Sequence, residues 1–134
     1  MKVWLGGLGA LALFVACTEV EMPTRNEGAQ IYTTYCATCH GPNATGNAAD
    51  GVTLKQAPAD LTRIAQRNGG TFPRAEVLSQ IDGYTREPVP GMTMPEFGEL
   101  MSGDLVPVDV GDEKMTPTPR KLAALMYYLE SIQQ

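Results

Sequence analysis

The pentapeptide CATCH, residues 36–40, holds the side chains most capable of chemistry in this sequence. Cys36 and Cys39 lie three positions apart, and His40, the only histidine of the chain, follows directly. Thiolates and imidazole are ligands for zinc, two thiols at this spacing can cycle through a disulfide, and the pattern Cys-x-x-Cys-His also serves covalent attachment of haem. These three chemistries need different surroundings, so the rest of the sequence discriminates between them.

Zinc and disulfide chemistry both need surroundings that this sequence does not supply. A structural zinc site takes four ligands, and beyond CATCH the usual ligand types offer only the distant Cys17. The neighbouring Cys39 and His40 also make an awkward pair for one tetrahedral ion. A thioredoxin-like dithiol belongs at a strand-to-helix turn in a βαβ unit, whereas CATCH ends a helical pattern in a sequence without clear strands. We therefore disfavour both chemistries.

Covalent haem attachment fits every residue of the pentapeptide. The three-position spacing of the thiols matches the separation of the two vinyl groups of haem, to which thiols add. The residue after the second cysteine then lies beneath the iron, where imidazole is the proximal ligand. We therefore predict that Cys36 and Cys39 form thioethers to one haem c per chain, and that His40 is an axial ligand of its iron.

The N-terminal residues have the pattern of an export signal. Lys2 is followed by an apolar run over residues 3–16, which is short for a membrane-spanning helix of about 20 residues. The run ends FVAC, with the small Ala16 just before Cys17, and this resembles the lipobox of bacterial lipoproteins, whose cysteine is lipidated. We expect export to the periplasmic side of a bacterial membrane. The predicted organisation is a lipoprotein-type signal peptide over 1–16, lipidated Cys17 with a short tether over 17–23, and a folded domain over 24–134.

The bulk composition indicates one small globular domain. The chain has 134 residues, of which 43% are hydrophobic and 19% charged. The formal net charge is −5 at pH 7, which argues against nucleic acid as the main partner.

Helix signals stand at both ends of the folded domain. Thr24 and Glu27 form the pattern of a capping box at the start of the first helix. Thr118 and Pro119 have the pattern of the cap and first residue of the last helix. Apolar residues then recur at helical spacing: Leu122, Leu125, Met126, Leu129 and Ile132.

Shorter helical patterns lie between these two helices, over residues 60–66, 73–83 and 96–101. Long loops rich in glycine, asparagine or proline separate them, and no stretch keeps the apolar–polar alternation of a strand. The fold class predicted is therefore all-α, a small domain of four or five helices with long loops.

Four segments in order resemble class I c-type cytochromes, over about residues 24–134. The segment EGAQIYTTYCATCHG is similar to the family's first helix and haem site, and PADLT to the segment that supports the proximal side. MPEFG is similar to the methionine-ligand loop, and LAALMYYLESI to the C-terminal helix. The resemblance implies a cytochrome c-like domain around one haem. It also implies that Tyr128 packs on the first helix, where Gly28 lets the two terminal helices cross closely.

The sixth position of the iron is open to methionine, lysine or no ligand, since the only histidine is already used. The resemblance implies Met94, which precedes proline in MPEFG, and Met92 in GMTMP is the alternative. The resemblance also gives the Pro58 carbonyl as hydrogen-bond partner of His40. Tyr84 and Arg86, beside the ligand loop, are candidate contacts of a haem propionate.

The function implied is that of an electron carrier and not of an enzyme, because iron with histidine and methionine ligands leaves no room for a small-molecule substrate. The alternatives are a dedicated cytochrome subunit of a dehydrogenase or oxidase complex, and a haem sensor with a labile sixth ligand. Redox proteins with a basic docking face are the expected partners, besides the membrane reached through the lipid anchor. This expectation rests on a segment with seven acidic and no basic residues: Glu87, Glu96, Glu99, Asp104, Asp109, Asp112 and Glu113.

Overall fold

The computed structural model describes residues 20–84 and 94–134. Cys17, Arg86 and Met92 lie outside the described residues. A 3-10 turn over Leu61–Arg63 precedes the third helix. The described elements, in chain order, are α1 Arg25–Tyr35, α2 Ala37–His40, α3 Ile64–Arg67, α4 Arg74–Asp82, α5 Gly98–Met101, β1 Leu105–Asp109, β2 Met115–Pro119 and α6 Arg120–Ser131.

The first and last helices cross closely, as the sequence predicts. Gly28 lies against the backbone of Ala124, so closely that an added Cβ would stand 2.7 Å from both the Ala124 carbonyl carbon and the Cβ of Tyr128. One turn further along α1, the buried Tyr32 packs its ring on that of Tyr128, with centroids 5.3 Å apart. The predicted roles of Gly28 and Tyr128 are confirmed.

Polar contacts fix the start of α1 against the start of α6. The predicted capping box is present, with the Thr24 side chain accepting from the Glu27 N–H at 3.2 Å and the Glu27 carboxylate accepting from the Thr24 N–H. Arg120, the first residue of α6, donates to the Glu27 carboxylate at 3.0 Å and to the carbonyl of Glu21. These hydrogen bonds lower the pKa of Glu27, so its carboxylate stays charged.

The apolar core forms where α6 meets α1, α4 and α5. The helical spacing seen in the sequence buries the α6 side chains as expected, apart from a half-buried Ile132. Further core side chains come from α4, which ends at Gly83 in the left-handed conformation at φ 92°, from α5, from Tyr32 of α1, and from Val106 and Val108 of β1. The principal members are Val77, Leu78, Ile81, Met101, Leu122, Leu125, Met126 and Leu129.

The prediction of an all-α domain with four or five helices is confirmed in part, since the domain is mostly helical but differs from the prediction in two respects. The described residues contain six α-helices, because the first pattern is broken at Cys36 and resumes as α2. They also contain a two-stranded antiparallel sheet, in which Val106 pairs with Thr118. Thr118 and Pro119 therefore end β2 and do not open the helix, which begins at Arg120.

The hairpin is held by its inner face, which is too short to give a clear sequence pattern. Val106, Val108 and Thr118 are buried, whereas the residues that alternate with them face outward or are partly exposed. Each strand has five residues, so only two or three side chains can report the period of two.

Among the described residues, no helix is both long enough and apolar enough to cross a membrane.

Replacing Gly28 with alanine tests the helix crossing. The new methyl group would meet the rigid backbone of α6, so we expect Gly28→Ala to lower the free energy of unfolding by at least ~2 kcal/mol. Chemical denaturation of the haem-loaded protein measures this. Gln30→Ala, at an exposed position of the same helix, should change stability by less than ~0.5 kcal/mol. Similar values for the two variants would contradict the close crossing.

Candidate haem site

One helical turn brings the three CATCH side chains to the same side. Cys36 closes α1 and opens α2, and its carbonyl accepts hydrogen bonds from the N–H groups of Cys39 at 3.1 Å and His40 at 2.9 Å. Residues three and four positions apart on a helix are neighbours, so both sulfur atoms and the imidazole lie on one face. Both cysteines are free thiols and half-buried.

The protonation of Cys36 does not suit a reactive dithiol. Burial, reinforced by the nearby Cys39, raises the pKa of the Cys36 thiol to about 11. Thioredoxin-like proteins instead lower the pKa of one thiol, so that thiolate is present near neutral pH. Within residues 20–84 and 94–134, no group of three or more His, Cys, Asp and Glu side chains is arranged to hold a metal ion.

His40 is oriented by a backbone carbonyl. Its Nδ1 lies 3.1 Å from the carbonyl oxygen of Ala59, and because a carbonyl only accepts, Nδ1 carries the proton in this contact. The unprotonated lone pair is then on Nε2, the nitrogen that remains for a metal ion. Burial lowers the pKa of His40, partly offset by the hydrogen bond to Ala59, and so favours the neutral imidazole that a metal requires.

The sequence prediction of the Pro58 carbonyl as this partner is wrong by one residue. Gly46, at φ 83°, packs directly against the Pro58 carbonyl, and its own N–H donates to the His40 carbonyl at 3.0 Å. Gly46 thus packs closest to the Pro58 carbonyl, while the next carbonyl, that of Ala59, faces the imidazole. A one-residue register in a loop has no signal in the amino-acid pattern.

The loop around CATCH is held by a buried tyrosine that sequence reasoning did not assign to the site. The Tyr32 hydroxyl donates to the carbonyl of Gly41, directly after CATCH, at 2.5 Å. Burial raises the pKa of Tyr32, so the phenol remains a donor. A buried tyrosine needs a partner for its hydroxyl, and this requirement is the only signal that could have pointed to the contact.

The segment that carries Ala59 is held from two sides. The Leu61 N–H donates to the carbonyl of Ala44 at 2.7 Å. Gln133, after the end of α6, accepts from the Ala65 N–H at 2.9 Å and donates to the Leu61 carbonyl at 2.8 Å. Neither contact was predicted, since they join residues far apart in sequence. Together they tie the carbonyl that orients His40 to the last helix.

Met94 lies half-buried and packs on the apolar core. Its segment is joined to α4, because the Phe97 N–H donates to the Ile81 carbonyl at 3.0 Å. Met101 and Met126 are almost completely buried, Met126 at the helical spacing that the sequence predicts for α6. Ligation by Met94 stays a prediction, and the alternative Met92 lies outside the described residues.

Of the two residues predicted to contact a haem propionate, Tyr84 and Arg86, the structure describes only Tyr84. Tyr84 is 87% exposed, and Arg86 lies outside the described residues, so both roles stay predictions. An exposed phenol next to the ligand segment is available to a charged group at the protein surface.

The segments that flank CATCH share one apolar cluster. Side chains from α1, from the segment after Ala59 and from the Met94 segment pack on the same core but stay partly exposed. These side chains are Ile31, Cys36, Ala37, Leu61, Ile64, Phe72, Met94 and Phe97, and the same partly buried layer also includes Val110, Tyr127, Tyr128 and Ile132.

The family model for cytochrome c matches residues 26–133, which include CATCH and Met94. The chain belongs to the cytochrome c family. Neither the curated proteins nor the solved structures give a significant match. Membership in the cytochrome c family implies covalently bound haem c and haem-based electron transfer.

The residues of this cytochrome c domain fit the group that the family implies. Two free thiols and an imidazole lie on one face of a helical turn, with Nε2 as the nitrogen available to iron. The thiols would hold the macrocycle, and His40 would bind the metal. The haem would supply one-electron chemistry, and the chain supplies attachment, orientation and an apolar environment.

A comparison of two glycines tests the positioning of the Ala59 carbonyl. Gly46 and Gly51 have the same backbone strain, with φ of 83° and 82°, but only Gly46 has neighbours, Pro58 and Ala59, where a Cβ would stand. Alanine should cost about 1 kcal/mol at either position through φ alone, and about 2 kcal/mol more at Gly46 through overpacking. Denaturation of the haem-loaded variants measures both. Equal losses would mean that the Gly46 contact does not hold the loop.

Proposed function

We propose that this protein is a monohaem electron carrier whose iron is ligated by His40 and Met94. The observation that carries the proposal is the hydrogen bond of His40 Nδ1 to the Ala59 carbonyl, 3.1 Å long, within a helical turn that also presents two free thiols. It leaves Nε2 available and fixes the ring plane before any metal binds. The match of residues 26–133 to the cytochrome c family supports haem as the group held there.

His40 and Met94 would each bind the iron, and the two ligands would have different effects. The imidazole, fixed by Ala59, keeps one side in place. A thioether on the other side is a soft ligand that favours the ferrous state and raises the reduction potential. With both positions filled, electron gain and loss need little rearrangement, and small molecules are kept from the metal. This is the behaviour of a carrier and not of an enzyme.

Replacing each candidate methionine identifies the sixth ligand. In Met94→Ala, we expect complete loss of the weak far-red charge-transfer band of the ferric protein and rapid carbon monoxide binding by the ferrous protein. Met92→Ala, two residues away, is the matched control and should keep the band. Absorption spectra of the oxidised and reduced proteins measure both properties.

Two results would change the proposal. Loss of the band only in Met92→Ala would transfer the ligand role to Met92 and keep the carrier function. Rapid carbon monoxide binding by the unaltered ferrous protein would contradict the carrier function and favour a haem sensor with a labile sixth position.

The carrier is proposed to be tethered at the periplasmic side of a bacterial membrane through lipidated Cys17. Cytochrome c domains are typically exported, and the apolar run before Cys17 is typical of an export signal. Arg120 holds the Glu21 carbonyl against the folded domain. Glu21 lies four positions after Cys17, which allows at most about 14 Å between their Cα atoms. So short a tether would keep the domain at the membrane surface.

Intact-mass measurement of protein extracted from membranes tests the anchor. The mature chain should begin at Cys17 and carry the added mass of acyl chains, because stable attachment needs more than one chain. The Cys17→Ala variant should lack that mass, whereas Thr18→Ala should keep it. A mature chain that begins elsewhere without added mass would contradict the lipid anchor.

The electron partners are proposed to be redox proteins with a basic docking face. The acidic residues from Glu96 to Glu113 that the structure describes support this, because all six lie in a segment without arginine and with no lysine before Lys114. Opposite charges steer association and raise its rate, and salt screens the effect.

A further inference from the structure

The outer face of the β-hairpin is exposed and mostly apolar, with Asp109, opposite Met115, as the charged residue of the two strands on that face. Leu105 is 58% exposed and Met115 66% exposed, and both are among the large hydrophobic side chains with the most exposure in the described residues. Pro107 and Pro117 are also exposed. They pair with each other across the two strands, and this pair lies between Leu105 and Met115 on the same face. The inner face of the same hairpin is buried against the core, so the outer face is a second apolar surface with no side chain of the described residues covering it.

Prolines close the edges of the hairpin. The cross-strand pairs of Pro107 with Pro117 and of Leu105 with Pro119 belong to one alternating set. Proline has no N–H to donate, so this set must be the pairs that do not exchange hydrogen bonds, whose backbone groups point away from the partner strand. Three outward donors are therefore missing from the two edges. A partner cannot readily add a strand there, and the face remains as the surface to dock on.

Carboxylates stand at both ends of this apolar face. Asp104 precedes β1, and Asp112 and Glu113 lie in the turn between the strands, with Lys114 as the one cation of the hairpin. The three ion pairs found in the described part of the chain involve none of these carboxylates. The apolar centre thus has a mostly acidic rim, and within the described residues no salt bridge neutralises its carboxylates.

The negative charge of the rim distinguishes between the molecules that could bind to this face. Anionic lipid headgroups would be repelled by Asp104, Asp112 and Glu113, and two copies of the chain that met through this face would bring like charges together. A protein with an apolar patch inside a rim of Lys and Arg would meet complementary groups at the centre and at the edge.

We propose that the outer face of the β-hairpin, formed by Leu105, Pro107, Met115 and Pro117, is the docking surface for a protein partner with an apolar patch and a basic rim. The identity of that partner as a redox protein rests on the proposed function, but the docking does not. Each five-residue strand spans about 17 Å, which suits the apolar core of a small transient interface.

Photo-crosslinking in the organism that encodes the chain tests the surface on the full, haem-loaded protein. A photoreactive amino acid replaces Leu105 or Met115, and Gln66, exposed on α3, is the control position. Mass spectrometry identifies the adduct and the linked residues of the partner. We expect one protein at both hairpin positions, linked within a surface that is apolar at its centre and basic at its rim, and no such adduct at Gln66.

The captured protein is then purified and its binding measured directly. We expect Leu105→Lys to weaken the affinity at least ~10-fold, and Gln66→Lys, which changes the net charge equally, to leave it within ~2-fold. Affinity should also fall as salt rises. Unchanged haem spectra and thermal stability show that the variants are folded, and both substituted positions are exposed.

Three results would overturn the proposal: an adduct with lipid, an adduct with a second copy of the chain, or equal binding by Leu105→Lys and the control. Binding to a partner that exchanges no electrons with the haem would keep the docking surface and contradict the proposed function. Electron transfer that is unaffected by Leu105→Lys, although the affinity for the captured protein has fallen, would keep both the docking surface and the carrier function and show that this protein is not the electron partner.

Discussion

The close crossing of α1 and α6 is the contact on which the candidate haem site depends. Gly28 permits the crossing, and Tyr32, one turn further along, packs its ring on that of Tyr128 of the last helix at a tilt of 44°. The same Tyr32 reaches the carbonyl of Gly41 through its hydroxyl. A single side chain thus couples the packing of the two terminal helices to the loop that follows CATCH, and a shift of the crossing would move both.

The C-terminal helix also holds the opposite side of the site. Gln133 connects the end of α6 to the segment after Ala59, whose carbonyl orients His40. The imidazole is therefore positioned by an element more than 60 residues away in sequence through short hydrogen bonds. Such a frame keeps the ring orientation fixed without any charged group, which suits a metal ligand that must stay neutral.

The two five-residue strands of the hairpin have two roles: they pack on the core and they block pairing with further strands. Its inner valines complete the core beside α6, and its prolines remove donors from both edges. The result is a small sheet that packs on one side and resists strand addition at its margins. The exposed side chains of the outer face, such as Leu105 and Met115, lie away from the buried core.

The sequence alone determined the chemistry and much of the frame. The spacing of Cys36, Cys39 and His40 indicates covalent haem, and the capping box and the spacing of apolar residues on α6 predict the two terminal helices, because these signals are local. The sequence predicts a helix over residues 60–66, and the structure has a 3-10 turn followed by α3 there. Both are helical, so the local pattern predicts the type of element but not its exact hydrogen bonding.

Only the tertiary structure decided which carbonyl meets His40, that Gln133 holds that segment, and that residues 105–119 form a hairpin. Each of these depends on the path of a loop or on pairing between distant residues. In two strands of five residues each, the alternation of buried and exposed side chains is too short to reveal the hairpin from the sequence. Backbone carbonyls are chemically identical at Pro58 and Ala59, so only the path of the loop, on which Gly46 packs, decides which of them meets His40.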